Sequence, residues 1–323
     1  MNSLVPHDRY ARFTLIYFCC IGAFLILGIA SVYALGRMGH LPPPPLTATS
    51  CIDEKFKFMR EHADAEPDLL AIGSSVTWRN LDFSILAAVS DFRQPLNGAP
   101  CYLHVHETAW LTELYLDHFP SVRTVVTVMA MRDFESCQGD GQLFNATLGE
   151  GMMFEGWPEW LVYFVNFRPL RLWRTARNIK DMRAGADPDS TLVMDQFGSG
   201  PLTMTTPDPR DDVEVSPQCY PHLQRMAQSL ERRHVRWVVV LMPPMPAWLD
   251  RYDPGGKRDA AWRARVAAAL AAPNTVLIDA SNGPLRTDQY FVDPAHYNWR
   301  YAASFTRWIF EQYASADAIA QGE

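Results

Sequence analysis

Leu70-Ala71-Ile72-Gly73-Ser74-Ser75-Val76-Thr77-Trp78-Arg79 is an apolar run that breaks into a Gly-Ser-Ser turn. Continuously apolar runs of this length read as strands buried on both faces. Residues 68–72 form the first, and 122–129, 235–241 and 275–278 have the same character. Helical patterns at 106–118, 221–233, 259–271 and 298–313 alternate with them. That alternation predicts an α/β fold with right-handed crossovers and a doubly wound parallel sheet. Ligands in such sheets bind at the carboxyl ends of the strands. Ser75, Asn97-Gly98, Arg132-Asp133 and Pro243-Pro244 all follow such ends or short connecting runs.

Far along the chain, Asp293-Pro294-Ala295-His296 places a carboxylate and an imidazole three residues apart. Serine is a poor nucleophile at neutral pH unless a base takes its proton and a third group orients that base. Ser75, His296 and Asp293 supply those three parts and point to acyl transfer through a serine ester. Each has a plainer alternative. Ser75 fits a helix N-cap, a favoured place for serine. Ser74 is the adjacent competitor, and His296 fits a cap at the start of the last helix. Asp133 reads by default as a turn cap, and Arg132 divides evenly between a substrate contact and a structural ion pair.

These blocks resemble the SGNH (GDSL-type) hydrolase superfamily. The resemblance implies a three-layer, flavodoxin-like arrangement with Ser75 as nucleophile in Gly73-Ser74-Ser75. It makes His296 the base and Asp293 its orienting partner. Asn97-Gly98-Ala99 fits the block whose glycine N–H helps hold the oxyanion. The third block, normally Gly-x-Asn-Asp, is here Ala130-Met131-Arg132-Asp133, so Arg132 stands where the family has an oxyanion asparagine. A Gly-Ser-Ser variant behind one N-terminal anchor is similar to envelope acylation proteins, which often work beside a multi-span membrane-bound O-acyltransferase. The implied partners are an acyl donor (an ester or acyl carrier) and a polysaccharide acceptor. The implied activity is O-acetylation or deacetylation of a cell-envelope or exported polysaccharide. Two other readings are an accessory module with weak or no chemistry and a lipid esterase.

Residues 13–36 carry no charge. A bilayer core needs roughly 20 apolar residues in a helix, so this run fits an uncleaved anchor better than the shorter core of a signal peptide. Arg9 and Arg12 precede it, which places the N-terminus inside and the body in the periplasm, on the outer side of the inner membrane. The expected organisation is an anchor over 1–40, a Pro-rich linker over 41–65 and a catalytic domain over 66–323. An insertion is expected around 138–218. Pro42-Pro43-Pro44-Pro45 reads as an extended, semi-rigid spacer that holds the body off the membrane. The net charge of -7 argues against nucleic acid.

Cys51, Cys101, Cys137 and Cys219 lie outside the anchor and allow three connectivities. A Cys137–Cys219 bridge would staple the irregular stretch between them, leaving Cys51 for Cys101. Four reduced thiols are the alternative. His104-Val105-His106 on an extended segment invites a metal reading, but no further ligand stands at diagnostic spacing, so neither metal nor cofactor is expected. The stretch from Gly151 to Lys180 combines aromatics with Arg168, Arg171, Arg174 and Arg177. It reads as a cap over the crevice, its arginines forming a basic stripe suited to a membrane surface or an anionic glycan. A packed helix with a solvated face is the plainer reading.

Overall fold

The computed structural model describes residues 7–186, 191–204, 206–209 and 211–321. In chain order its elements are α1 (His7–Arg37), α2 (Ser50–Glu61), β1 (Leu69–Ala71), α3 (Ser75–Asn80), β2 (Pro95–Asn97), α4 (Val105–His118) and β3 (Thr124–Met129). Then come α5 (Ala146–Met153), α6 (Glu159–Val165), α7 (Pro169–Ala184), α8 (Cys219–Arg232), β4 (Arg236–Leu241) and α9 (Pro246–Tyr252). The last are α10 (Lys257–Ala269), β5 (Thr275–Asp279), β6 (Phe291–Asp293), β7 (His296–Tyr297) and α11 (Ala302–Gln321).

Strands β1 to β5 form one parallel sheet in the order β2-β1-β3-β4-β5. Every residue of β3 is buried, as its β-branched run requires. Inside this layer the indole and hydroxyl of Trp237 and Thr127 satisfy each other, Trp237 Nε1 donating to Thr127 Oγ1 at 3.0 Å. Strand β2 lies outside the runs that read as strands. It has three residues and begins with proline, which a sheet tolerates at an edge. The order reverses between β1 and β3, so the crevice at a switch point lies beyond their carboxyl ends. Ser75 follows β1 and Arg132 follows β3.

Helix α1 includes one stretch, Arg9–Arg37, long and apolar enough to cross a membrane. By length and composition it fits a single-pass anchor or a signal sequence. Its apolar window is not buried in the body. Two disulfides, Cys51–Cys101 and Cys137–Cys219, select one of the three connectivities and point to an oxidising, extracytoplasmic setting for the body. Cys19 and Cys20 stay free on α1.

Two expectations about the periphery change. The proline run is not a free spacer: residues 42–47 are buried. Two of its carbonyls are taken by α6 and the residue that ends it, Tyr163 Oη donating to Pro42 O and Asn166 Nδ2 to Pro45 O. Prolines have no N–H to donate, so their carbonyls make the hydrogen bonds of this attachment while their rings pack against it. The stretch from Gly151 to Lys180 is also not the cover of the crevice. Helices α6 and α7 pack on the proline run, and of this region only Met182 in the last turn of α7 reaches the cavity, followed by residues beyond the helix from Thr191 onward.

Candidate active site

The turn after β1 is set by sterics and capping. A Cβ at Gly73 would come within 2.1 Å of Thr77 Oγ1, so only glycine lets the chain fold back this tightly. Thr77 Oγ1 in turn donates to Val128 O at 2.9 Å and accepts from Val128 N at 3.0 Å, stitching α3 to β3. The two serines divide the work. Ser74 is the N-cap, accepting from Val76 N at 3.1 Å and donating to Asp133 Oδ1 at 2.6 Å. Ser75 is therefore left with its hydroxyl unspent on capping, half-buried at the first helical position.

Ser75 Oγ lies 3.0 Å from His296 Nε2. The other ring nitrogen, Nδ1, is 2.8 Å and 2.9 Å from the two carboxylate oxygens of Asp293. With a carboxylate as acceptor, Nδ1 carries the ring proton and Nε2 is free to accept from the serine. Strands β6 and β7 explain the local spacing. They pair antiparallel around Pro294-Ala295, with Asp293 directly opposite His296. Asp293 Oδ1 also accepts from the N–H groups of Ala295 and His296, at 2.9 and 3.0 Å. Burial pushes this carboxyl up, but the His296 ring and those donors outweigh burial and hold it at about 2. His296 caps nothing. The turn that follows it is capped by Asn298, whose side chain accepts from Arg300 N.

Asn80 is a residue the sequence reading missed. It is fully buried at the end of α3. Its Nδ2 donates to Ala295 O at 3.0 Å, and its Oδ1 accepts from Tyr297 N at 2.7 Å. One amide thus grips the backbone on both sides of His296 from the helix that carries Ser75. No local pattern announces this, because the partners are more than 200 residues apart.

Asn97 and Gly98 are not brought to the site. Gly98 N–H donates to Ala71 O at 2.9 Å, extending the β1–β2 ladder, so it has no hydrogen to offer an oxyanion. The Asn97 side chain is fully buried, donating to Trp78 O and accepting from Ala99 N. Further along the same connection stands Tyr102, which lines the cavity with φ at 61°, a left-handed conformation uncommon outside glycine. Among the described residues no acceptor takes the N–H of Tyr102 or of Ser75.

Arg132 does face the site. It lines the same cavity as Ser75 and His296, half-buried, with no ion pair or side-chain hydrogen bond among the described residues. Asp133 beside it is buried. It accepts from Ala130 N as a turn cap would, and from Ser74. Burial pushes its carboxyl up to about 6 against the lowering by those two donors. The histidine pair is a helix start rather than an extended segment. Glu107 accepts from His104 N at 2.8 Å as α4 begins. Among the described residues no three His, Cys, Asp or Glu side chains are placed to hold a metal ion.

The cavity over the triad measures about 510 Å³, within the usual range for small-molecule sites. Arg79 and Arg132 line it, as do Glu135 and Asp211. A small, mainly apolar void of about 30 Å³ adjoins it through Arg132 and Pro294, walled by Met131, Met242 and Trp248. Comparison with family models, with curated proteins and with solved structures returns no match.

Proposed function

We propose that this chain is a serine acyltransferase or ester hydrolase of SGNH type, tethered by α1 to the inner membrane with its body in the periplasm. The observation that carries the reading is the Ser75–His296–Asp293 relay, with both hydrogen bonds at 3.0 Å or less. Helix α4 contacts α8 and α10 contacts α8, while α11 contacts α3. These two helical groups support a three-layer arrangement. The 24-residue uncharged run of 13–36, longer than a signal-peptide core, supports an uncleaved anchor, and the disulfides of the body support an extracytoplasmic location for it.

In this mechanism His296 Nε2 takes the proton of Ser75 as Oγ attacks an ester carbonyl. Asp293, ionised at any physiological pH, stabilises the imidazolium that forms. The N–H of Ser75 and the guanidinium of Arg132 face the developing oxyanion, with Tyr102 N–H as third donor in place of Gly98. Loss of one such donor typically costs about 10²–10³ in rate. His296 then protonates the leaving alcohol, takes the proton of the sugar hydroxyl or water that attacks the acyl carbonyl, and returns it to Ser75 Oγ as the acyl group departs. The small void suits an acetyl group, and the larger cavity suits one or two sugar rings of a polysaccharide. Transfer is expected to outrun hydrolysis when an acceptor is present. The purified full chain, given an acetyl ester with and without a soluble oligosaccharide, should yield acetylated sugar at the expense of free acetate. Free acetate alone, unaffected by any sugar, assigns a hydrolase; neither product removes the enzyme reading.

A further inference from the structure

We infer that the outward face of α6 and α7 lies in the lipid interface of the membrane that α1 spans, as a second, non-spanning membrane contact. The inference rests on α1 being an inserted anchor.

The face is apolar and uncovered. Trp160, Val165, Phe167, Leu170 and Trp173 are between 41% and 69% exposed. A soluble surface scatters such residues singly, whereas a contiguous set marks a docking site. The arginine series of α7 splits by direction. Arg171 pairs with buried Asp53 at 2.6 Å, and Arg183 pairs with Glu54 at 2.6 Å, so these two hold the helix to the body. Arg174 and Arg177 stay exposed beside Trp173, and the Arg177 guanidinium sits 3.7 Å from the Trp173 ring centroid. Leu170, Trp173, Arg174 and Arg177 follow i, i+3, i+4, i+7 spacing. They form one helical face with an apolar edge and a cationic edge, the pattern of a helix lying at an anionic leaflet.

The occupant is set by contact with α1. Gly28 of α1 packs directly on Phe164 of α6, where an added Cβ would meet the ring at 2.9 Å. Residues 13–36 form a 24-residue uncharged run, which at helical rise is about 36 Å against a hydrocarbon core of about 30 Å. Even if the whole excess protruded at the Gly36 end, Gly28 would sit about 6 Å below the boundary. Phe164 sits at the same depth, which matches the ~5–10 Å burial of interfacial helices. The buried proline run and the Arg171 and Arg183 pairs couple α6 and α7 rigidly to the body. They thereby set the height and orientation of the catalytic crevice over the bilayer.

The test uses the full chain in nanodiscs of phosphatidylethanolamine and phosphatidylglycerol. Cys19 and Cys20 are replaced by Ser, and single nitroxides are placed through Phe167→Cys, Leu170→Cys or Trp173→Cys. Ile26→Cys serves as the reference inside α1 and Arg307→Cys as the reference in water. Relaxation by oxygen and by a water-soluble nickel chelate gives depth. The expected result is an oxygen-to-nickel collision ratio at 167, 170 and 173 several-fold above that at 307 and below that at 26. Nickel access equal to that at 307, with 26 protected, overturns the inference and leaves the anchor intact. Protection from both reagents overturns it in favour of a protein cover, a second copy included. Nickel access at 26 itself overturns the anchor reading and this inference with it.

Discussion

Two short segments carry the same kind of signal in sequence and meet opposite fates in three dimensions. Asp293-Pro294-Ala295-His296 folds into a two-strand turn that aims the His296 ring at Ser75. Asn97-Gly98 sits at the end of an edge strand, where the Gly98 N–H and the Asn97 amide are consumed by neighbours. The difference lies in what the backbone needs. The Asp-x-x-His turn satisfies its N–H groups with the Asp293 carboxylate, and that same carboxylate still reaches the imidazole. The Asn97 turn has a local acceptor too, its Oδ1 taking the Ala99 N–H, but its Nδ2 is spent on Trp78 O and the Gly98 N–H closes on Ala71 O of the sheet, so neither donor is left for a ligand. A motif therefore predicts chemistry only where its groups remain unspent after the chain's own hydrogen bonds are made.

The largest expected contrast is at Ser75. Ser75→Ala should lower turnover by about 10³-fold or more with little change in stability. Turnover within a few-fold of the native chain would mean the relay is structural. Next is Asn80→Ala, which frees the backbone on both sides of His296. Turnover should fall on the order of 10²-fold, because a misplacement of about 1 Å is that costly. Retained turnover with a lowered melting temperature would make Asn80 a packing residue only. Arg132→Ala should cost about tenfold or more in kcat and leave the melting temperature nearly unchanged. The reverse pattern would assign it to the scaffold. Asn97→Ala sharpens the comparison from the other side. It should destabilise by about 1–3 kcal/mol through the unpaired Trp78 carbonyl and Ala99 N–H, with turnover per folded molecule unchanged. A selective loss of turnover would return Asn97 to the site.

A further effect concerns pH and stability. Asp133 titrates at about 6 in the folded chain against an ordinary 3.8. A carboxyl raised on folding contributes stability that is complete below the unfolded value and lost as pH rises through the folded one. Between about pH 4 and pH 7 the native chain should lose on the order of 2–3 kcal/mol relative to Asp133→Asn. Parallel melting curves across that window would show that Asp133 does not carry the buried charge.

The parts of the fold that were legible share one property: their signal is local. Strands β1, β3, β4 and β5 announce themselves by apolar runs, and Asp293 and His296 by a two-residue loop. Ser74 and Ser75 could not be separated by local chemistry, since either suits a cap. In the fold Ser74 takes the Val76 N–H and is held there by Asp133, 59 residues away. Asn80 was invisible for the same reason. The proline run read as a spacer because its partners, Tyr163 and Asn166, lie 121 residues downstream. The series Arg168, Arg171, Arg174 and Arg177 read as one stripe, and it is divided by Asp53 on α2 and the Thr47 carbonyl, which take Arg171 and Arg168.

The most direct test of the central claim is covalent capture at Ser75. The full chain is incubated with a serine-directed fluorophosphonate, digested and mapped by mass spectrometry. The account predicts one adduct, on Ser75, that disappears in His296→Ala while Ser74 stays unmodified. Labelling of Ser74 in its place, or no adduct on a folded native chain, would contradict it.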